Sequence, residues 1–89
     1  MRKVEIYTQP QCPYCHHAKA LLEAREIVFQ EYNVAVDQDA LIEMVGRTGG
    51  RTLPQIVIND KAIGGFDDLS RLDSEGQLSA LLEAGPSLQ

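Results

Sequence analysis

The chain has 89 residues, room for one domain with one core, and its 44% hydrophobic and 24% charged content is that of an ordinary globular protein. A formal net charge of -5, with eight basic residues scattered from Arg2 to Arg71, excludes the basic stripe that a nucleic-acid backbone requires. Arg2-Lys3 and the short mixed run after it do not make a signal peptide, and no apolar run approaches the ~18–20 residues of a membrane span. A cytoplasmic protein without a membrane or nucleic-acid partner is therefore expected. In that compartment stable structural disulfides are uncommon, so the only two cysteines, Cys12 and Cys15, read as a working pair.

Lys3 to Tyr7 is β-branched and aromatic, the pattern of a short buried strand, and Thr8 to Gln11 is its loop. Pro13 suits the first turn of a helix, because its φ is preset and its missing N–H has no intrahelical role there. Ala18, Leu21, Leu22 and Arg25 follow at helical spacing, which predicts a helix to about Arg25-Glu26 with no glycine to close it. Ile27 to Tyr32 reads as a second strand, with Val28-Phe29 its buried part. Asp37 and Asp39 open a second helix whose inner positions are Leu41, Ile42 and Val45, broken by Gly46 to Gly50. Leu53-Pro54 leads into Gln55-Ile56-Val57-Ile58, the strongest strand pattern of the chain, with proline at its start where no ladder donor is lost. Asn59-Asp60 is a hairpin turn and Lys61-Ala62-Ile63 the returning strand. Gly64-Gly65 bends the chain into a helix begun by Asp67-Asp68 and running to about Ser74, and Gly76 separates it from a last amphipathic turn with Leu78, Leu81 and Leu82.

The order is β-α-β-α-β-β-α-α. A crossover helix between the first two strands demands a parallel pair, and the hairpin adds an antiparallel edge. The expected class is α/β: a thioredoxin-like fold, one domain over residues 1–89, with a four-stranded mixed sheet and helices on both faces. Residues 85–89 are expected to fray.

The chemistry centres on Cys12-Pro13-Tyr14-Cys15. A sulfur just ahead of a helix faces free N–H groups and the positive end of the dipole, which favour its thiolate. Cys15 lies one turn into the helix, with less solvent and no such stabilisation, so Cys12 is expected to attack and Cys15 to resolve. A single Cys-x-x-Cys leaves other readings open. Zinc takes four protein ligands, and Cys12, Cys15, His16 and His17 make a poor set, because adjacent helical residues point ~100° apart. Cys12 to His16 also matches the Cys-x-x-Cys-His signature of haem attachment, for which Met44 is the one good second axial ligand. His16 and His17 read most simply as a solvated helix face. Tyr14 is either an exposed first-turn aromatic or a ring that packs on a ligand.

Three segments in order extend the motif over roughly residues 3 to 84. Cys12-Pro13-Tyr14-Cys15 resembles the dithiol motif of the glutaredoxins, Thr52-Leu53-Pro54 resembles their Thr-Val-Pro segment, and Gly64-Gly65-Phe66-Asp67-Asp68-Leu69 is similar to their Gly-Gly-x-x-Asp-Leu turn. The likeness is to the short bacterial class I type. It implies a glutathione-dependent thiol–disulfide oxidoreductase that reduces protein disulfides and glutathione mixed disulfides, with Cys12 and Cys15 catalytic. It implies a cis peptide before Pro54, and a glutathione site at Tyr14, Thr52, Leu53, Pro54, Gly65, Phe66 and Asp67. Leu53 would pair its backbone with the cysteinyl part, and the Phe66-Asp67 turn would hold the γ-glutamyl end. No metal and no tightly bound cofactor are implied. The resemblance implies glutathione as co-substrate and reductant, disulfide-containing or glutathionylated proteins as partners, and a monomer.

This sequence departs from the family at two contacts to the glycyl carboxylate: Gln9 stands for a frequent lysine, and Leu41 for a polar or basic residue. Arg47 or Arg51 is the candidate to supply the charge instead, a choice that sequence leaves open. Phe66 occupies a position where some relatives carry a third cysteine. Two rival functions use the same residues: a redoxin recycled by thioredoxin reductase, and a module in which two subunits share an iron–sulfur cluster through Cys12 and glutathione.

Overall fold

In a computed structural model, which describes residues 3–84, the eight expected elements occur in the expected order. Strand β1 (Val4–Thr8) leads into helix α1 (Pro13–Ala24), β2 (Gln30–Asn33), α2 (Gln38–Thr48), β3 (Gln55–Ile58), β4 (Lys61–Gly64), α3 (Phe66–Ser74) and α4 (Gln77–Ala84). The expected tail, residues 85–89, lies outside the described residues.

The sheet order is β2-β1-β3-β4. Strand β1 is parallel to β2 and antiparallel to β3, which pairs antiparallel with β4. Strand alternation divides the core in two. Val4, Ile6, Ile56 and Ile58 face Ala18 and Leu22 of α1, Leu69 of α3 and Leu78 and Leu82 of α4. Tyr7 and Val57 face the other way, against Ala40 and Met44 of α2. Helices therefore cover both faces of a mixed sheet, the thioredoxin-like arrangement.

Three details of the sequence reading are corrected. Strand β2 begins at Gln30 rather than Ile27, and Val28, expected inside, is 89% exposed. The cause is the way α1 ends. Glu26 takes the left-handed conformation (φ 58°) that glycine usually fills, its N–H donates to Glu23 O, and Ile27 N–H donates to Leu22 O. This closing turn uses residues 25–27 and buries Ile27, so pairing with β1 starts only at Gln30 opposite Glu5. Helix α2 is rotated from its expected phase: Ala40 and Met44, four residues apart, are buried, Val45 is partly buried, and Leu41 and Ile42 are exposed. It also runs through Gly46, ending at Thr48 with Gly49 (φ 75°) as its left-handed cap. On α1, Arg25 faces solvent and pairs with Asp73 at 2.8 Å, while Cys15 takes a place in the buried stripe.

Polar groups tie the layers together. Arg47 reaches under the sheet to Glu5 at 2.8 Å and donates to the Tyr7 hydroxyl at 2.8 Å, while Tyr7 donates to Glu43. The Arg47 guanidinium, aided by the Tyr32 hydroxyl, holds the Glu5 carboxyl below its ordinary range against the opposing effect of burial. Burial and the adjacent Glu5 push Tyr32 up to about 12. Arg47 is thus committed to the underside of β1 and is no substitute for the missing glycyl contact. At the hairpin, Asn59 and Asp60 both have positive φ, as a two-residue primed turn requires. Asn59 is buried; its side chain accepts from Lys3 N–H and donates to the carbonyls of Leu81 and Leu82, pinning α4 to the sheet.

Candidate active site

The register decides what lies beside the cysteines. Tyr7 pairs with Gln55 and Ile56 with Gly64, so the end of β1, the start of β3 and the end of β4 share one end of the sheet. The loop after β1, the Thr52-Leu53-Pro54 segment before β3 and the Gly64-Gly65 bend after β4 therefore converge. Residues distant in the chain meet because antiparallel pairing brings opposite strand ends together.

Cys12 is the N-cap of α1, in extended conformation, and its sulfur accepts a hydrogen bond from Cys15 N–H at 3.1 Å. That is the helix-terminal environment that favours a thiolate. Cys12 keeps 8% of its surface exposed and Cys15 none. The two are joined as a disulfide here, with their Cα atoms 5.2 Å apart. His16 and His17 are both exposed; His16 Nε2 donates to Pro10 O at 3.0 Å, fixing the loop ahead of Cys12. Among the described residues no group of three or more His, Cys, Asp or Glu side chains is placed to hold a metal ion.

The peptide bond before Pro54 is cis. Leu53 makes no hydrogen bond to any described residue through its N–H or C=O, so both remain open for a strand-like partner. A groove of about 280 Å³ runs past it, walled by Tyr14, Thr52 and Pro54 and floored by Gly65, Phe66 and Asp67. All seven residues expected from the sequence around the cysteines thus line one hollow. Tyr14 stacks on Phe66 at 6.1 Å, with His17 5.7 Å from the same ring, so its exposed ring forms part of an aromatic rim between α1 and α3.

On the other side of Leu53 lies a second hollow of about 570 Å³. Cys12, Pro13, Val34, Leu41, Gln9, Gln11 and Arg51 line it, with Thr52 and Leu53 shared with the first. Of these two hollows only the second is lined by a cysteine, Cys12, and a third, about 450 Å³ between β4, α3 and α4, has none.

Several supporting residues were not singled out as site residues from sequence. Gln55, buried in the sheet, donates from its amide to Thr52 O at 3.0 Å and to the Thr52 hydroxyl at 3.2 Å, which fixes the segment ahead of Pro54. Gly50 makes room for that amide, since a Cβ there would lie 2.6 Å from Gln55 Nε2. The available signal was a glutamine heading an otherwise apolar strand. Asp68 accepts from Gly65 N–H at 3.1 Å and closes the first turn of α3. Its carboxylate also packs against Gly64, whose φ of 119° admits little but glycine. On β2, Glu31 accepts from Lys19 at 2.8 Å and from the Thr8 hydroxyl, and these two donors, Lys19 foremost, hold its carboxyl below the ordinary range.

The glutaredoxin family model matches residues 4–63, from β1 through the hairpin. The chain belongs to the glutaredoxin family. It is 48% identical over 83 residues to glutaredoxin 3 of Escherichia coli, covering 93% of this chain and all of that one. The solution structure of a Brucella melitensis glutaredoxin superposes with a TM-score of 0.80 at 43% identity, over 97% of this chain and 94% of that one. A buckwheat glutaredoxin, crystallised with glutathione, shares the fold with a TM-score of 0.83 at 24% identity, over 93% of this chain and 78% of the other. As a glutaredoxin the chain is a thiol–disulfide oxidoreductase, and Cys12-Cys15 is its dithiol motif.

Proposed function

We propose that this glutaredoxin is a glutathione-dependent reductant of protein disulfides and glutathione mixed disulfides, working as a monomeric single-domain protein of the cytoplasm. The observation that carries the reading is the groove where Thr52-Leu53-Pro54, the Gly65-Phe66-Asp67 turn and Tyr14 meet around the unpaired Leu53 backbone, sharing Thr52 and Leu53 with the hollow that Cys12 lines. The cysteinyl part of glutathione pairs with Leu53 as a short antiparallel strand. Its γ-glutamyl ammonium meets Asp67, and its α-carboxylate meets the N–H groups that open α3. That a buckwheat glutaredoxin of the same fold was crystallised with glutathione supports glutathione as the ligand. At the glycyl end, Gln9 and Leu41 offer no charge, and Arg51 on the rim of the second hollow supplies it.

Cys12 thiolate attacks the glutathionyl sulfur of a mixed disulfide; the protein thiolate leaves and takes a proton, and glutathione stays on Cys12. A second glutathione thiolate attacks that glutathionyl sulfur, releasing glutathione disulfide and the Cys12 thiolate. With a protein disulfide, Cys15 instead attacks Cys12 in the protein mixed disulfide and frees the reduced substrate, leaving Cys12–Cys15 oxidised. Two glutathiones then restore the dithiol.

Trapping tests the assignment of roles. Cys15→Ser, mixed with a glutathionylated peptide, should gain one glutathionyl group on Cys12 by mass spectrometry, and Cys12→Ser should gain none. Glutathionylation of the Cys12→Ser protein at Cys15, at a comparable rate, would reverse the roles.

A further inference from the structure

We propose that the trough across Leu53 selects polypeptide substrates by the charges that flank their cysteine: a cationic residue before it, and an apolar then an acidic residue after it. This rests on Cys12 being the attacking sulfur and Leu53 the pairing edge.

Thr52 and Leu53 line both hollows, so the two form one trough about Leu53. Its two halves carry opposite charge. Exposed Asp67 lines one half and exposed Arg51 the other, and neither makes an ion pair among the described residues. Other nearby charges are already committed, Asp68 to Gly65 N–H and Arg71, and Arg47 to Glu5. The half that leads to Arg51 is walled by Pro13, Val34 and Leu41 and contains no carboxylate.

Direction follows from the chain. From Arg51 to Pro54 the segment runs from the basic end toward the acidic one, so an antiparallel partner enters past Asp67 and leaves past Arg51. An extended strand advances about 3.3 Å per residue, so a polypeptide longer than glutathione places flanking side chains at both ends. A lysine or arginine before the cysteine then meets Asp67. The residue after it lies against Val34 and Leu41, and an acidic residue beyond reaches Arg51. Leu41, which replaces a polar or basic family contact, is what makes this half apolar.

The step it governs is two-electron exchange. Cys12 thiolate attacks the substrate sulfur seated at Leu53, and the distal sulfur leaves as a thiolate and is protonated. Cys15 thiolate then attacks Cys12, expelling the seated cysteine, so one substrate disulfide becomes two thiols and the enzyme dithiol becomes a disulfide.

The test uses the reduced protein without glutathione. One substrate is the symmetric disulfide of the peptide lysine–alanine–cysteine–leucine–glutamate, and the other its charge-swapped counterpart glutamate–alanine–cysteine–leucine–lysine. Both have the same net charge, which cancels the long-range repulsion of an acidic protein. Exposed pairs each change a rate by about fivefold at most, so the first peptide should be reduced about three- to tenfold faster at low salt. In about 1 M salt the ratio should fall toward one. The double variant Arg51→Glu, Asp67→Lys should invert the ratio. Equal rates, a faster charge-swapped peptide, or an uninverted ratio in the double variant would each overturn the proposal. Because no glutathione is present, failure here is separate from failure of glutathione-dependent turnover, which a glutathione reductase assay on the same protein reads.

Discussion

In the proposed mechanism Cys12 attacks and the Leu53 backbone pairs with the substrate, and Gln55 fixes the segment that carries Leu53. Its amide is the described side-chain donor to both the carbonyl and the hydroxyl of Thr52. Gln55→Leu should leave the intrinsic reactivity of Cys12 toward a small alkylating reagent unchanged while raising the KM for glutathionylated substrate several-fold. A typical intramolecular hydrogen bond contributes about 1 kcal/mol net, and two are lost. An unaltered KM would mean that Thr52-Leu53-Pro54 is fixed by its own backbone. The cysteine pair was legible from sequence because its chemistry is local: a nucleophile, a proline at the first helical position and a second sulfur one turn on. Gln55 was not legible as a site residue, and the choice between Arg47 and Arg51 stayed open, because a polar side chain in a strand or loop acquires its role only when the register brings a distant segment to it.

At the scale of the element, α2 shows how one residue of helical phase changes the inside of a protein. Two stripes one residue apart satisfy helical spacing here, Leu41 and Ile42 with Val45, and Ala40 with Met44. The phase is set by what the sheet offers: Tyr7 and Val57 receive Ala40 and Met44, while Arg47, three residues past Met44, must reach Glu5. Met44→Ala should cost about 2–5 kcal/mol in urea unfolding, and Ile42→Ala within about 0.5 kcal/mol of nothing. The opposite ranking would restore the sequence-based stripe. The same packing makes β1 acid-sensitive. Glu5 has its pKa lowered in the folded state, so its contribution is present above its ordinary value of 4.5 and lost as pH falls through the lower folded value. Glu31 and Asp73 are shifted the same way. The melting temperature should therefore decline below about pH 4.5, and Glu5→Gln should be less stable at pH 7 with a shallower acid slope. A variant with the wild-type acid slope would remove Glu5 from the account. The α1–β2 junction was misread for a comparable reason: Glu26 closes the helix in a conformation usually given to glycine, and no sequence pattern marks that choice.

Across the whole molecule, the topology was readable because each element carried its own pattern and the crossover rule left one way to assemble them. What required the structure was convergence. Antiparallel pairing of β1 with β3 and of β3 with β4 brings Cys12, Leu53 and Phe66 to one end of the sheet, and Asn59 fastens α4 near the other. The resulting trough, with opposite charges in its two halves and open along one unpaired backbone, is the basis for proposing glutathione as reductant. Its most direct test is NADPH oxidation by glutathione reductase, with glutathione and a glutathionylated peptide, catalysed by the wild-type protein, Cys15→Ser and Cys12→Ser. The account predicts turnover that saturates with peptide, persists in Cys15→Ser and vanishes in Cys12→Ser. Turnover supported by thioredoxin reductase but not by glutathione would contradict it.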